Sequence, residues 1–169
     1  MKMHVKGLIL ALIVGVLTVF WWQSNTAPRK PNVYSILAEL PGFDLKQVKG
    51  QYLIVHFWAK WCEPCADEIP PLVEFTSKAH FQKPLNVLAI SLDPSLEDSK
   101  QILPDKGAHL PNNFILALDA ERKVAEKLGS FQFPETYFVS PQGEILEKWV
   151  GAQKWNKPEV FDFFQQRLR

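Results

Sequence analysis

Cys62 and Cys65 are the only two cysteines in a chain of 169 residues, and just Glu63 and Pro64 separate them. The pair follows a strongly apolar run, Tyr52-Leu-Ile-Val-His-Phe-Trp58, and precedes Ala66-Asp67-Glu68-Ile69, which reads as helix. A thiol at a helix N-terminus faces free backbone N–H groups and the positive end of the helix dipole, which favours its thiolate. The second thiol lies within reach of the first and can close a disulfide with it. As a brace that disulfide would be weak, since a loop this short returns about 2 kcal/mol by the loop-closure relation. Exchange chemistry suits the arrangement better. Half of a zinc site is the alternative, but Cys-x2-Cys needs two further ligands. No other Cys exists, and His56, His80 and His109 show no paired spacing. The motif therefore points to a redox-active dithiol that uses no metal and no cofactor beyond its own disulfide.

Hydrophobic patterning supplies the elements around the motif. Residues 52–58 form a fully buried strand by their continuous hydrophobicity. A helix runs from 62 to about 79, with Pro64 tolerated in the first turn and Pro70 expected to kink it. Residues 85–92 form the next buried strand. Asp93-Pro94-Ser95 cap a short helix over 96–103, and 104–113 is loop. A strand at 114–118 leads to a helix capped by Asp119 and ended at Gly129. Strands at 136–140 and 144–150 flank the Pro141-Gln-Gly143 turn as a hairpin. The last helix spans 157–168, with Pro158 in its first turn and Val160, Phe161, Phe164 and Leu168 on one face. Between 37 and 50 little is legible beyond a turn at Pro41-Gly42. Helices alternating with strands and a closing hairpin predict an α/β domain, its mixed sheet covered on both faces.

The length allows one domain and a short appendage at the front. Lys2 and Lys6 precede an uncharged apolar run from Gly7 to Trp22, and residues 23–32 are polar with two prolines. Residues 1–32 thus read as a membrane segment and linker, and residues 33–169 as the folded domain. The run spans about 24 Å as helix against a hydrocarbon core of about 30 Å, a length open to a signal peptide or an anchor. Gln23-Ser-Asn-Thr-Ala27 offers no clean small-x-small cleavage site, and Trp21-Trp22 end the run where interfacial aromatics sit. The reading is an uncleaved single-pass anchor, with a cleaved signal as the alternative. A short basic tail stays cytoplasmic, which places the domain on the extracytoplasmic, periplasmic side of the cytoplasmic membrane, where conditions are oxidising. All acidic residues lie after Ala38, so the domain carries no basic footprint for nucleic acid.

With its motifs placed, the chain resembles thioredoxin-fold proteins, specifically the membrane-anchored ResA/TlpA-like thiol:disulfide oxidoreductases that include the reductases of cytochrome c maturation. The likeness is carried by Phe57-Trp-Ala-Lys-Trp-Cys-Glu-Pro-Cys65, Glu68-Ile-Pro-Pro-Leu72, Val87-Leu-Ala-Ile-Ser-Leu-Asp93 and Phe133-Pro-Glu-Thr-Tyr-Phe-Val139 with Gln142-Gly-Glu-Ile145. It covers the bulk of the domain, and residues 93–119 resemble the insertion that sets this group apart from plain thioredoxin. The resemblance implies a thioredoxin-like fold and a monomeric protein disulfide reductase. Its substrates would be exported thiol proteins such as apocytochrome c, and a membrane electron donor would recharge it. It implies that Cys62 attacks and Cys65 resolves, that Pro134 is a cis-proline against the dithiol, and that Phe133 helps form the substrate groove. Glu68 matches an acidic residue one turn beyond the second cysteine. Cys65 and Glu68 also share a helical face as i and i+3, although an exposed first-turn Glu is the plainer alternative. Trp61 is placed at the groove rim, and Glu63 and Pro64 join it as substrate-binding residues.

One departure from thioredoxin stands out. Its buried aspartate on the strand before the motif is here His56, and the lysine that pairs with that aspartate aligns with Ala89. His56 is either a hydrogen-bonded core residue or a substitute proton carrier. The acids Glu63, Asp67 and Glu68 disfavour a thiolate, which should raise the Cys62 pKa and bias the pair toward reducing its partners. Two other classes compete. A thioredoxin-fold peroxidase needs a proline and a hydroxyl residue where Ile54 and Trp58 stand. A copper-delivery module normally has three residues between its cysteines, and here there are two.

Overall fold

The computed structural model describes residues 12–22 and 32–169. Compact units fall at Met1–Lys30 and Pro31–Arg169. In the first, residues 12–22 are helical (α1) and all are exposed, Trp21 and Trp22 included. Among the described residues no helix is long and apolar enough to cross a membrane. Lys2, Lys6 and the linker after Trp22, on which the anchor reading also rests, lie outside the described residues.

The second unit is built on five strands: β1 Tyr52–Trp58, β2 Leu85–Ser91, β3 Phe114–Leu118, β4 Glu135–Val139 and β5 Ile145–Val150. Their order is β3-β2-β1-β4-β5. β1 runs parallel to β2, and β2 to β3, while β4 is antiparallel to β1 and β5. This is the mixed sheet expected. The central strands β1 and β2 are continuously apolar because both of their faces are covered. His56 interrupts β1, paired to Ala89 on one side and Thr136 on the other.

Around the sheet lie α2 Val33–Leu37, α3 Glu63–Lys78, α4 Leu96–Lys100, α5 Lys123–Leu128 and α6 Pro158–Arg167. α3 starts after its N-cap, Cys62, and continues through Pro70 and Pro71. The prolines remove two N–H donors, and the buried stripe of Ile69, Leu72, Val73 and Phe75 holds the helix instead. α4 is shorter than expected, and it is Ser95 whose side chain accepts the Asp98 N–H. Pro104–Gly107, expected as loop, forms a short 3-10 turn. α5 begins at Lys123, and Asp119 Oδ2 caps it from further back by accepting the Ala125 N–H at 2.8 Å. α2 was not legible beforehand. Asn32 caps it, donates to the Gln142 carbonyl, and thereby pins it to the β4–β5 turn. At that turn Gly143 has φ 82, and a Cβ there would lie 2.2 Å from Asn32 Oδ1.

Aromatic rings fill the layer between α3, α6 and the sheet. Phe75 packs on Trp155, Phe161 and Phe164 with centroids 5.3, 4.9 and 5.3 Å away, and Phe164 reaches Phe138 of β4 at 5.1 Å. By strand alternation the same face carries Ile54, His56 and Thr136. Phe57 and Tyr137 meet edge to face on the opposite side, where the Tyr137 hydroxyl donates to Leu128 O at the end of α5. Each fully buried aromatic contributes on the order of 2–3 kcal/mol. That layer packs α3, the helix that carries the motif at its start, onto the sheet.

Candidate active site

β1 ends at Trp58, and the chain turns through Ala59, Lys60 and Trp61 into α3. Buried Asp93 fixes this turn. Its carboxylate accepts the Lys60 N–H at 3.1 and 3.0 Å and the Ser91 hydroxyl at 3.0 Å. Ser99 of α4 donates in turn to Ser91. The segment that resembled an insertion is thus tied to the motif by a buried relay of Ser99, Ser91, Asp93 and Lys60. In the sequence Asp93 reads as part of a helix cap, and the Lys60 N–H it holds lies 33 positions away.

Cys62 and Cys65 are joined in a disulfide, with S–S 2.02 Å and Cα–Cα 5.2 Å. Cys62 keeps 6% exposure and Cys65 none, so an incoming group reaches Cys62 first. The array of free N–H donors anticipated around Cys62 is reduced. Pro64 has no N–H, and the Cys65 and Ala66 N–H groups bond Cys62 O at 3.0 and 3.1 Å. The dipole of α3, more than free donors, is what favours a Cys62 thiolate.

The Phe133–Pro134 bond is cis, as the resemblance implied. Pro134 is buried, and its carbonyl accepts the Gly151 N–H at 2.8 Å. The Phe133 ring meets Trp61 edge to face at 6.3 Å, which brings this loop against the motif. Trp61 is 55% exposed, and Glu63 and Pro64 are exposed beside it. Phe131 is 72% exposed on the same loop. It was missed in the sequence, where an isolated Phe before Pro134 looks like any core residue.

Glu68 differs from the plain first-turn alternative: it is 3% exposed. Its Oε1 accepts the Gln153 N–H at 3.0 Å and the Trp155 indole N–H, while Oε2 is buried without a partner. Burial pushes its pKa from 4.5 up to about 7, against the opposing pull of these two hydrogen bonds. At neutral pH Glu68 is therefore about half ionised. Glu63 and Asp67 are exposed and screened by water and salt. The electrostatic case for a raised Cys62 pKa then rests on Glu68 and depends on pH.

His56 is fully buried, with Nδ1 2.9 Å from the Thr136 hydroxyl and Nε2 unpaired. Burial lowers its pKa to about 3, so it stays neutral across the physiological range. That favours its reading as a core residue over a proton carrier. His56 Nε2, Trp58 Nε1 and Glu68 Oε2 are the buried side-chain polar atoms without partners among the described residues. All three stand on β1 or α3, the two elements that meet at the motif.

The chain is similar to several known proteins. Residues 38–148 match the AhpC/TSA family. The thiol-disulfide oxidoreductase ResA of Bacillus thuringiensis (strain Al Hakam) is 26% identical over 120 residues, which make up 70% of this chain and 66% of that protein. The thiol:disulfide interchange protein CycY of Rhizobium leguminosarum bv. viciae is 32% identical over 114 residues, 68% of this chain and 58% of that protein. In structure, a thiol:disulfide interchange protein DsbE from Chlorobium tepidum matches with a TM-score of 0.58 at 25% identity, covering 76% of this chain and 87% of that one. The thioredoxin-like fold is thereby established. Since the family match takes in well over half of its residues, the chain belongs to the AhpC/TSA family.

Proposed function

We propose that the protein is a thiol:disulfide oxidoreductase that reduces disulfides in protein substrates. The observation that carries this is the Cys62–Cys65 disulfide at the start of α3, with one reachable and one enclosed sulfur. In the reduced protein the Cys62 thiolate attacks one sulfur of the partner's disulfide. The partner's S–S bond breaks, a mixed disulfide forms, and the departing sulfur takes up a proton. Cys65 then loses its proton and attacks the Cys62 sulfur, releasing the second partner thiol and closing Cys62–Cys65. Two electrons and the Cys65 proton pass to the partner, whose other proton comes from the solvent that took up the Cys62 proton on ionisation.

Glu68 is the base for the second step. It stands one turn from Cys65 with a pKa near the working pH, so it accepts the Cys65 proton directly or through a water and returns it to the leaving thiolate. Phe133, next to Pro134, offers backbone groups to an extended substrate, and Trp61, Glu63 and Pro64 line the approach. The partners in this reading are exported thiol proteins, apocytochrome c among them, with a membrane electron donor restoring the dithiol of a monomeric enzyme. Residues 1–32 serve as its single-pass anchor, and the catalytic domain lies outside the cytoplasmic membrane. The uncharged, exposed α1 ending in Trp21-Trp22 supports that placement. Peroxide reduction is disfavoured, because Ile54 and Trp58, both buried in β1, supply neither the proline nor the hydroxyl of that chemistry.

The test is to mix the reduced full chain with a disulfide-bonded peptide. New peptide thiols should appear as Cys62–Cys65 closes, Cys62→Ser should be inert, and Cys65→Ser should accumulate the mixed disulfide. Turnover of peroxide without disulfide exchange would sink the reading.

A further inference from the structure

We propose that Arg122 is a specificity-determining residue of the dithiol site: it binds a carboxylate on the substrate segment that lies across Trp61 and Phe133. This rests on the exchange reaction proposed above. The Arg122 guanidinium carbon lies 5.2 Å from the centre of the Trp61 ring, and Trp61 directly precedes Cys62. The same indole meets Phe133, and Phe131 stands exposed two residues before it. Large rings left open next to a reachable sulfur mark a contact surface. Arg122 puts one cation on it.

The backbone delivers this cation deliberately. Arg122 has φ 58 and ψ 16, a left-handed conformation that residues other than glycine seldom adopt. Buried Asp119 holds the turn. Its carbonyl accepts the Arg122 N–H at 2.8 Å, its own N–H donates to Ser91 O at 2.8 Å, and its carboxylate accepts the Ala125 N–H at 2.8 Å. Asp119 thus orients Arg122 while its own charge is already engaged. Of the neighbouring acids, Glu121 pairs with Lys123 and Glu39 with Lys127, while Glu126, four residues on, is exposed and forms no ion pair among the described residues. Among the described residues no carboxylate pairs with Arg122. A guanidinium stacked on an aromatic face keeps its N–H edge free for a bidentate carboxylate, and its fixed position lowers the ordering cost of binding.

In an extended peptide, side chains two residues apart point the same way. An Asp or Glu two positions from the substrate cysteine therefore faces the enzyme when the cysteine does. That is the feature Arg122 reads. The probes are three disulfide-bonded peptides that are identical except at the positions two before and two after the cysteine, which are both Asp, both Asn or both Lys. With the reduced full chain, kcat/KM for the Asp peptide should exceed that for the Asn peptide by about three- to fivefold, the reach of an exposed ion pair. The difference should lie in KM and shrink as salt is added. Arg122→Gln should bring the Asp-to-Asn ratio to about one, and Arg122→Glu should reverse the order in favour of Lys. Each ratio is taken within one protein, so a loss of folded material cancels. Equal rates for all three peptides, or a ratio that survives Arg122→Gln, would overturn the assignment and leave the exchange reading intact. Absence of exchange with every peptide would overturn both.

Discussion

Glu68 and His56 should act on stability in opposite directions over the same pH range, and removing either should expose the other. Glu68 has a carboxyl raised from 4.5 to about 7. Its contribution is fully present below the unfolded-state pKa, where both states are protonated, and is lost as pH rises through about 7. The total loss is about 3 kcal/mol, at about 1.4 kcal/mol per pH unit of difference between the two states. His56 is lowered from 6.5 to about 3. Its contribution is present above 6.5 and is lost as pH falls, because the unfolded chain takes up a proton that the buried ring refuses. Between pH 4.5 and 6.5 the two slopes are about −1.4 and +1.4 kcal/mol per pH unit and cancel. The wild type therefore shows little net dependence from this pair. Glu68→Gln should leave the His56 slope uncovered, so that its stability relative to wild type rises by about 3 kcal/mol between pH 4.5 and 6.5. His56→Asn should produce the mirror image, a relative fall of similar size. Denaturant unfolding of the oxidised full chain at half-unit pH steps measures both differences, and all other carboxylates are common to the three proteins. Parallel curves for wild type and Glu68→Gln would show that Glu68 titrates normally, and the proton role given to it would fall.

The other expectations are simpler. Limiting iodoacetamide should label Cys62 of the reduced protein before Cys65, because only Cys62 retains exposure; preferential labelling of Cys65 would reverse the assigned roles. Trp155→Phe removes a hydrogen bond that lowers the Glu68 pKa, so the pH at which exchange responds to Glu68 should move up, read as the inflection in a rate profile. Phe75→Ala empties a site touching Trp155, Phe161 and Phe164, and should cost about 3–5 kcal/mol in denaturant unfolding; a loss under 1 kcal/mol would mean the layer beneath the motif is not close-packed.

What the sequence revealed about this fold and site depended on how far each residue's partners lie along the chain. β1 and β2 were legible because a strand covered on both faces is apolar throughout, and the cysteine spacing carries its chemistry within four residues. The cis-proline was reached only through resemblance. α2 was invisible, since a five-residue helix cannot hold itself and is fixed by Asn32 bonding a carbonyl 110 positions away. Glu68 looked like an ordinary first-turn acid because the groups that bury it, Gln153 and Trp155, come 85 and 87 positions later. Arg122 gave no signal at all. Its role depends on a left-handed turn set by Asp119 and on the indole of Trp61, far from it in the chain, just before α3.

In the exchange reaction proposed above, the site handles protons without thioredoxin's buried acid on β1. At that position His56 is neutral, bonded to Thr136 and opposite Ala89, so β1 contributes no charge there. The ionisable group has moved to α3, onto the helix that carries the cysteines. There burial raises its pKa, and hydrogen bonds from Gln153 and Trp155, in the segment after β5, pull it back. Gln153 is partly exposed and supplies only a backbone N–H, whereas Trp155 is buried against Phe75 and Phe164, so Glu68 is tuned through the same aromatic layer that packs α3. In the proposed reaction this couples the packing of that layer to the pH at which Glu68 exchanges its proton.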